Sequence, residues 1–375
     1  MPPKSVVPLL AVALALGLGA LARPQPPELA AASTGDDTLA AAVADAAART
    51  GTTAHRLAVA TVELSGDGEP DVTLAGLGAD EDDVFEIGSV SKALTGLLLA
   101  SAVDRGEVEL DQPVGDLLNL DGTPAADITL LELATHRSGL PRLPADVDMV
   151  RRALWAQASG GNPYAGLSPD DVTAAAREAR LADDPDGVYS NVGAALLGNA
   201  LAAAAGTTYP ELVEERLSGP LGLRATSVPA STADLARLVP DAVRAQGRTP
   251  SGRAQDAWTM DGYAPAGAVR STSRDLAAVL ATLLTDADPA LTTALEPRAD
   301  LGADRIGLHW ITSEVPVGDG TRTVTWHNGQ TGGFAAFVGL DRERGRGVVV
   351  LSDVSAPVDA LALDLLTGDV SGGAR

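Results

Sequence analysis

β-type runs lie at the two ends of this 375-residue chain, and helix-type patterning fills its middle. Residues 57–64 and 71–77 flank the turn Gly66-Asp67-Gly68, which predicts a hairpin. Strand character returns at 306–312, 321–326, 333–340 and 347–352. Helices are expected at 37–50, 89–103, 128–136, 191–205, 209–217, 273–284 and 357–366. Ser168-Pro169-Asp170-Asp171 starts another, with Ser168 as N-cap, Pro169 at the first helical position and Asp171 closing a capping box. Strands at both ends around a helical middle (about 106–264) imply an α+β chain. One sheet is built from both termini, with helices packed on it and a helical insertion.

Charge and composition narrow the function. A formal net charge of −23 leaves no basic face for nucleic-acid phosphates and disfavours an anionic membrane surface. Zero cysteines exclude disulfides, thiolate metal sites and a cysteine nucleophile. The first 22 residues read as a secretory signal: Lys4, an apolar stretch, then Ala20-Leu21-Ala22 as a cleavage site. An uncleaved membrane anchor is the alternative, since 18 residues without charge approach the length of a span. Both readings place the rest of the chain outside the cytoplasm. Residues 23–36, with three prolines, read as a linker, 37–368 as one domain and 369–375 as a tail.

Arginine carries nearly all the basic charge; Lys4 and Lys92 are the two lysines. Lys92 stands three residues after Ser89 in Gly88-Ser89-Val90-Ser91-Lys92. Positions i and i+3 share a helix face, so the amine can reach the serine hydroxyl. A desolvated lysine can give up its proton and act as a base, which arginine cannot. Ser89 at a helix start also offers an unpaired backbone N–H to a developing oxyanion, and the positive helix end would help lower the Lys92 pKa.

Two further elements carry chemistry. Tyr189-Ser190-Asn191 precedes an apolar helix; a phenol can relay a proton and an amide can hold a carbonyl. Trp326-His327-Asn328-Gly329-Gln330-Thr331-Gly332-Gly333 ends a predicted strand. His327 could bind a substrate anion, the Gln330 N–H could be a second oxyanion donor, and Gly329 and Gly333 would let substrate approach the strand. Each element alone has a plain structural explanation: an Asn at a helix start, or a turn with an exposed histidine.

Together and in this order, Ser-x-x-Lys, Tyr-x-Asn and His-x-Gly resemble the penicillin-recognising serine hydrolases, in the versions found in class C β-lactamases, D-alanyl-D-alanine carboxypeptidases and esterase relatives. Leu133-Ala134-Thr135-His136-Arg137-Ser138-Gly139-Leu140, Ala266-Gly267-Ala268-Val269-Arg270-Ser271-Thr272 and Gly307-Leu308-His309-Trp310 also look like family segments. The resemblance implies a β-lactamase-like fold: an antiparallel sheet flanked by helices, a helical domain, and the active site in the cleft between them. It implies Ser89 as acylated nucleophile, Lys92 as its base, Tyr189 as proton donor to the leaving group, and Asn191 as partner of substrate and Lys92. His327 takes the place of a family lysine, and the Ser89 and Gln330 N–H groups form the oxyanion hole.

The implied reaction is hydrolysis of an amide or ester in a small molecule or peptide, with no cofactor and no metal. A carboxylesterase on small esters and a non-catalytic binder of cell-wall peptides are the alternatives. The arginine that carboxypeptidase relatives often place after Gly-Leu-Gly is replaced here by Ile311, Thr312 and Ser313. With an ordinary histidine pKa near 6.5, His327 would lose its charge as pH rises, and neutral esters would be preferred over the β-lactam nitrocefin. Arg270 is one arginine that could still reach the site. His136 reads as a structural histidine at a helix end, and the acidic run 183–186 lacks calcium-loop spacing.

Overall fold

The computed structural model describes residues 26–144, 146–182 and 187–368. The signal segment, residues 23–25 of the linker, the acidic run 183–186 and the tail lie outside these.

Nine strands form one antiparallel sheet: β1 (Ser33–Gly35), β2 (Leu57–Leu64), β3 (Pro70–Leu77), β6 (Ala299–Leu301), β7 (Asp304–Ile306), β8 (Ile311–Val317), β9 (Gly320–Gln330), β10 (Ala335–Asp341) and β11 (Arg346–Ser352). Their order is β1-β3-β2-β11-β10-β9-β8-β7-β6. The two ends of the chain meet where β2 pairs with β11. β1 lies within the stretch read as linker and pairs with β3 at the sheet edge. A separate two-stranded ladder joins β4 (Phe85–Glu86) to β5 (Arg270–Ser271).

The central strands are covered on both faces, and period-two alternation sorts their side chains between two cores. Leu57, Val59, Phe337, Val348 and Val350 face α1 (Asp37–Thr50) and the C-terminal helix Asp359–Thr367. Ala58, Ala60, Val62, Val338, Val349 and Leu351 face the larger core. That core contains α2 (Val90–Asp104), α3 (Leu130–Ala134), α4 (Asn191–Ala205) and α5 (Ser273–Thr285). Apolar all round, α2 and α4 are wrapped by other elements.

Two segments differ from the sequence expectation. The run 306–312 is a corner between β7 and β8 instead of one strand. His309 adopts a left-handed φ of 61°, and the Leu308 and His309 N–H groups donate to Ala294 and Ala134 carbonyls. Leu308 and Trp310 are apolar because the corner is buried among helices. The helix expected over 128–136 is shorter: Thr129 and Glu132 form its capping box, and His136 has already turned left-handed at φ 58°. Among the described residues no helix is long and apolar enough to cross a membrane, and no His/Asp/Glu group could hold a metal ion.

Candidate active site

Ser89 occupies the N-cap of α2 but caps nothing with its side chain, which leaves the hydroxyl available. Lys92, one turn on, is fully buried; its Nζ donates to Ser89 Oγ at 3.0 Å and to the Ala266 carbonyl at 2.6 Å. Burial, and behind it the charge of Arg142, hold the Lys92 amine well below the usual lysine range. Desolvation thus leads where the sequence pointed to the helix end. Ser91 cannot compete as nucleophile, because it is buried and its Oγ accepts the Val269 N–H at 3.1 Å.

Val90, Ser91 and Lys92 make the first-turn backbone bonds, and the Ser89 N–H takes no part in them. The edge of β9 lies against this turn. A Cβ on Gly329 would stand 1.9 Å from the Ile87 carbonyl oxygen and 3.0 Å from the Ser89 nitrogen; one on Gly88, with φ 51°, would stand 2.6 Å from the Gln330 nitrogen. Glycine at 88 and 329 therefore brings the two expected oxyanion donors to one place. The missing side chains also make room for protein backbone, Ile87 at Gly329 and Gly247 at Gly333; Gly329 lines the cavity beside Ser89 as well. Gln330 itself is exposed, its amide donating to Ser355.

Tyr189 stands beside this pair, with its ring centroid 4.9 Å from Lys92 Nζ. Burial pushes its phenol up to about 12, against the opposing influence of Ser89 and Arg142, so it holds its proton at neutral pH. Asn191 begins α4; its Nδ2 donates to the Tyr164 hydroxyl at 3.5 Å, and its buried Oδ1 has no protein partner. The expected Asn191–Lys92 contact is absent, its place taken by Ala266.

His327 is buried within β9, opposite Val338 of β10, and not in an exposed turn. Its Nδ1 donates to the Asn328 carbonyl at 2.6 Å, and its buried Nε2 lacks a partner. Burial and the Lys92 charge push its pKa down to about 3, the Asn328 carbonyl opposing. The expectation of a histidine titrating near neutrality is overturned: His327 is a neutral imidazole there. Arg270 is also removed from candidacy, since it is buried and paired with Glu86 at 2.6 Å.

Sequence reasoning missed three features. The rings of His136 and His309 meet at a tilt with centroids 4.9 Å apart, and the His136 ring lies 4.4 Å from that of Tyr189. Burial holds both well below the ordinary histidine range. They form a neutral floor under Tyr189, and only their place in two family-like segments hinted at it. An aromatic pocket of Tyr164, Trp258, Met260 and Tyr263 opens on one side of Ser89. Exposed Arg142 sits over the Tyr189 ring at 5.2 Å on the other. Residues from distant segments build both features, and no local spacing reports that.

A family profile described as Beta-lactamase matches residues 39–370. The chain belongs to the β-lactamase family. It is a serine hydrolase of that family. The D-alanyl-D-alanine-carboxypeptidase/endopeptidase AmpH of Escherichia coli is 27% identical over 289 residues, covering 72% of this chain and 71% of AmpH. A beta-lactamase of Pseudomonas fluorescens is 25% identical, covering 74% of this chain and 81% of its own. The β-lactamase fold is matched by a class C beta lactamase from Rhodobacter sphaeroides, with TM-score 0.68 and 24% identity over 87% of this chain and 96% of that one. D-alanine carboxypeptidase AmpC from Burkholderia cenocepacia superposes with TM-score 0.66 and 24% identity, at the same coverage.

Proposed function

We propose that this chain hydrolyses an amide or ester through an acyl-enzyme on Ser89, outside the cytoplasm. The observation that carries the reading is the Lys92 amine: buried, 3.0 Å from the Ser89 hydroxyl and held well below its ordinary pKa. Neutral Lys92 takes the hydroxyl proton as Ser89 Oγ bonds to the acyl carbon. The Ser89 and Gln330 N–H groups receive the oxyanion. Tyr189, protonated at neutral pH, gives its proton to the leaving nitrogen or oxygen as the acyl bond breaks. The proton gained by Lys92 passes to the Tyr189 phenolate, and water then attacks the acyl carbon, its proton returning to Ser89 Oγ as the acid is released. Asn191 Oδ1, unpartnered in the protein and beside the pocket that Asn191 lines, is an acceptor for a donor on the substrate.

The signal-like residues 1–22 support the extracytoplasmic part of the reading. Peptide substrates are supported by the relation to a D-alanyl-D-alanine-carboxypeptidase/endopeptidase. A carboxylesterase is the second reading, favoured by the uncharged His327 at the position where the motif resemblance implies a lysine in other members of the family. Labelling with a fluorophosphonate and with a fluorescent penicillin tests the acyl-enzyme. Both labels should map to Ser89 and vanish in Ser89→Ala; label on another residue, or none in the folded wild type, contradicts the reading.

A further inference from the structure

Ser89 and Gln330 line two cavities, one on each side. The aromatic one is narrow. The other is a cavity of about 260 Å³ that also includes Arg142, Tyr189, Asn328 and Asp359. If Tyr189 protonates the leaving group, that group must lie in the cavity Tyr189 lines. The acyl group then takes the aromatic side.

The charges of the leaving-group cavity are specific. Arg142 is the one cation among the residues lining it. Its guanidinium lies 5.2 Å over the Tyr189 ring, and among the described residues it has no carboxylate within ion-pair distance. Asp359, on the same wall, is instead held by Asn328 Nδ2 at 2.6 Å. The Arg142 backbone is fixed to the catalytic elements: its carbonyl accepts the Asn191 N–H at 3.1 Å, and the neighbouring Pro141 carbonyl accepts Ser190 Oγ at 2.7 Å. The other basic residues considered for the site are committed or uncharged. Lys92 is bound to Ser89 and Ala266, Arg270 is paired with Glu86, and His327 has no charge.

We propose that Arg142 is the specificity residue that binds a carboxylate on the leaving group, so that the favoured substrates release an amino acid or another carboxylate-bearing alcohol or amine. This rests on the Ser89–Tyr189 reading above. It also replaces the expectation, drawn from positions 311–313, that the site lacks a carboxylate anchor. A guanidinium can meet a carboxylate with two parallel N–H bonds and keeps its charge at all accessible pH.

The test uses two aryl esters with one phenylacetylglycyl acyl group, one releasing m-hydroxybenzoate and the other phenol. The quantity read is the ratio of their kcat/KM values, in wild type, Arg142→Gln and Arg142→Lys, with melting temperatures as the folding control. Arg142→Gln should lower the preference for the carboxylate-bearing ester about tenfold, the scale of one charge-assisted hydrogen bond. Arg142→Lys should keep part of that preference, mostly through charge. A ratio unchanged within about twofold in folded Arg142→Gln overturns the proposal, since the lost charge-assisted contact should cost more than that. Ser89→Ala separates the two claims: it should abolish turnover of both esters, and turnover that survives it refutes the acyl-enzyme reading whatever Arg142 does.

Discussion

At the scale of single residues the site is organised by desolvation. The Lys92 amine beside Ser89, the Tyr189 phenol and the imidazoles of His136, His309 and His327 behind them are each biased toward the neutral form by desolvation. Lys92 must be neutral to act as a base, so activity should fall only as pH drops through its depressed pKa. Tyr189 holds its proton up to about 12, and His327 stays neutral down to about 3. His327 should therefore add no inflection of its own to the kcat/KM profile for a neutral ester across the ordinary histidine range, near pH 6.5. An inflection there that disappears in His327→Gln would contradict the buried, neutral imidazole. Lys92→Arg retains charge but cannot release it, so it should be nearly as damaging as Lys92→Ala. Retention of more than about a tenth of the turnover by Lys92→Arg would favour a purely electrostatic role.

At the scale of elements, the site depends on how closely two pieces of backbone approach: the turn before α2 and the edge of β9. Gly329→Ala would put a methyl 1.9 Å from the Ile87 carbonyl and must separate the Ser89 and Gln330 nitrogens. Loss of one oxyanion donor costs about 10²–10³ in turnover elsewhere, and a comparable fall in kcat is expected here. A Gly329→Ala enzyme with wild-type kcat would show that the two N–H groups do not act together. The β4–β5 ladder supports the same turn through the buried Glu86–Arg270 pair, and Glu86 also accepts the Trp258 N–H at 2.8 Å. Removing one partner strands a buried charge, so Glu86→Ala should destabilise the fold by about 3–5 kcal/mol in urea titration. A loss below about 1 kcal/mol would mean the pair is solvated, as surface pairs are. Local signals exposed these elements unevenly. The limits of α1 and α4, the Ser168 cap and the β2–β3 hairpin follow from capping, turn residues and alternation. The 307–310 corner did not, because apolar residues buried among helices have the composition of a strand.

At the scale of the whole molecule, one sheet gathers strands separated by most of the chain. Strands at both ends around a helical middle already implied that arrangement. The residue types of Ser89, Lys92, Tyr189, Asn191 and His327 and their order along the chain singled out the candidate group, and the fold brings Lys92 to Ser89 and Tyr189 to both Lys92 and His327. The sequence could not reveal which charges survive at the site, because that depends on burial and pairing. Local spacing gave Arg142 no role and left Arg270 open, and the fold reversed their prospects by pairing Arg270 with Glu86 and leaving Arg142 over Tyr189. The same topology makes folding non-local. β2 has β3 on one side and β11, nearly 300 residues later, on the other. Both cores draw side chains from β10 and β11. A fragment ending at Gly318 would lack β9, β10 and β11 and leave both cores open. It should show no cooperative thermal transition. Deletion through residue 32 removes nothing from the sheet and should preserve a cooperative transition. If the fragment ending at Gly318 unfolds cooperatively by near-UV circular dichroism, the N-terminal hairpin and the helices form a core of their own, and closure of the sheet through β11 is not what makes the chain fold.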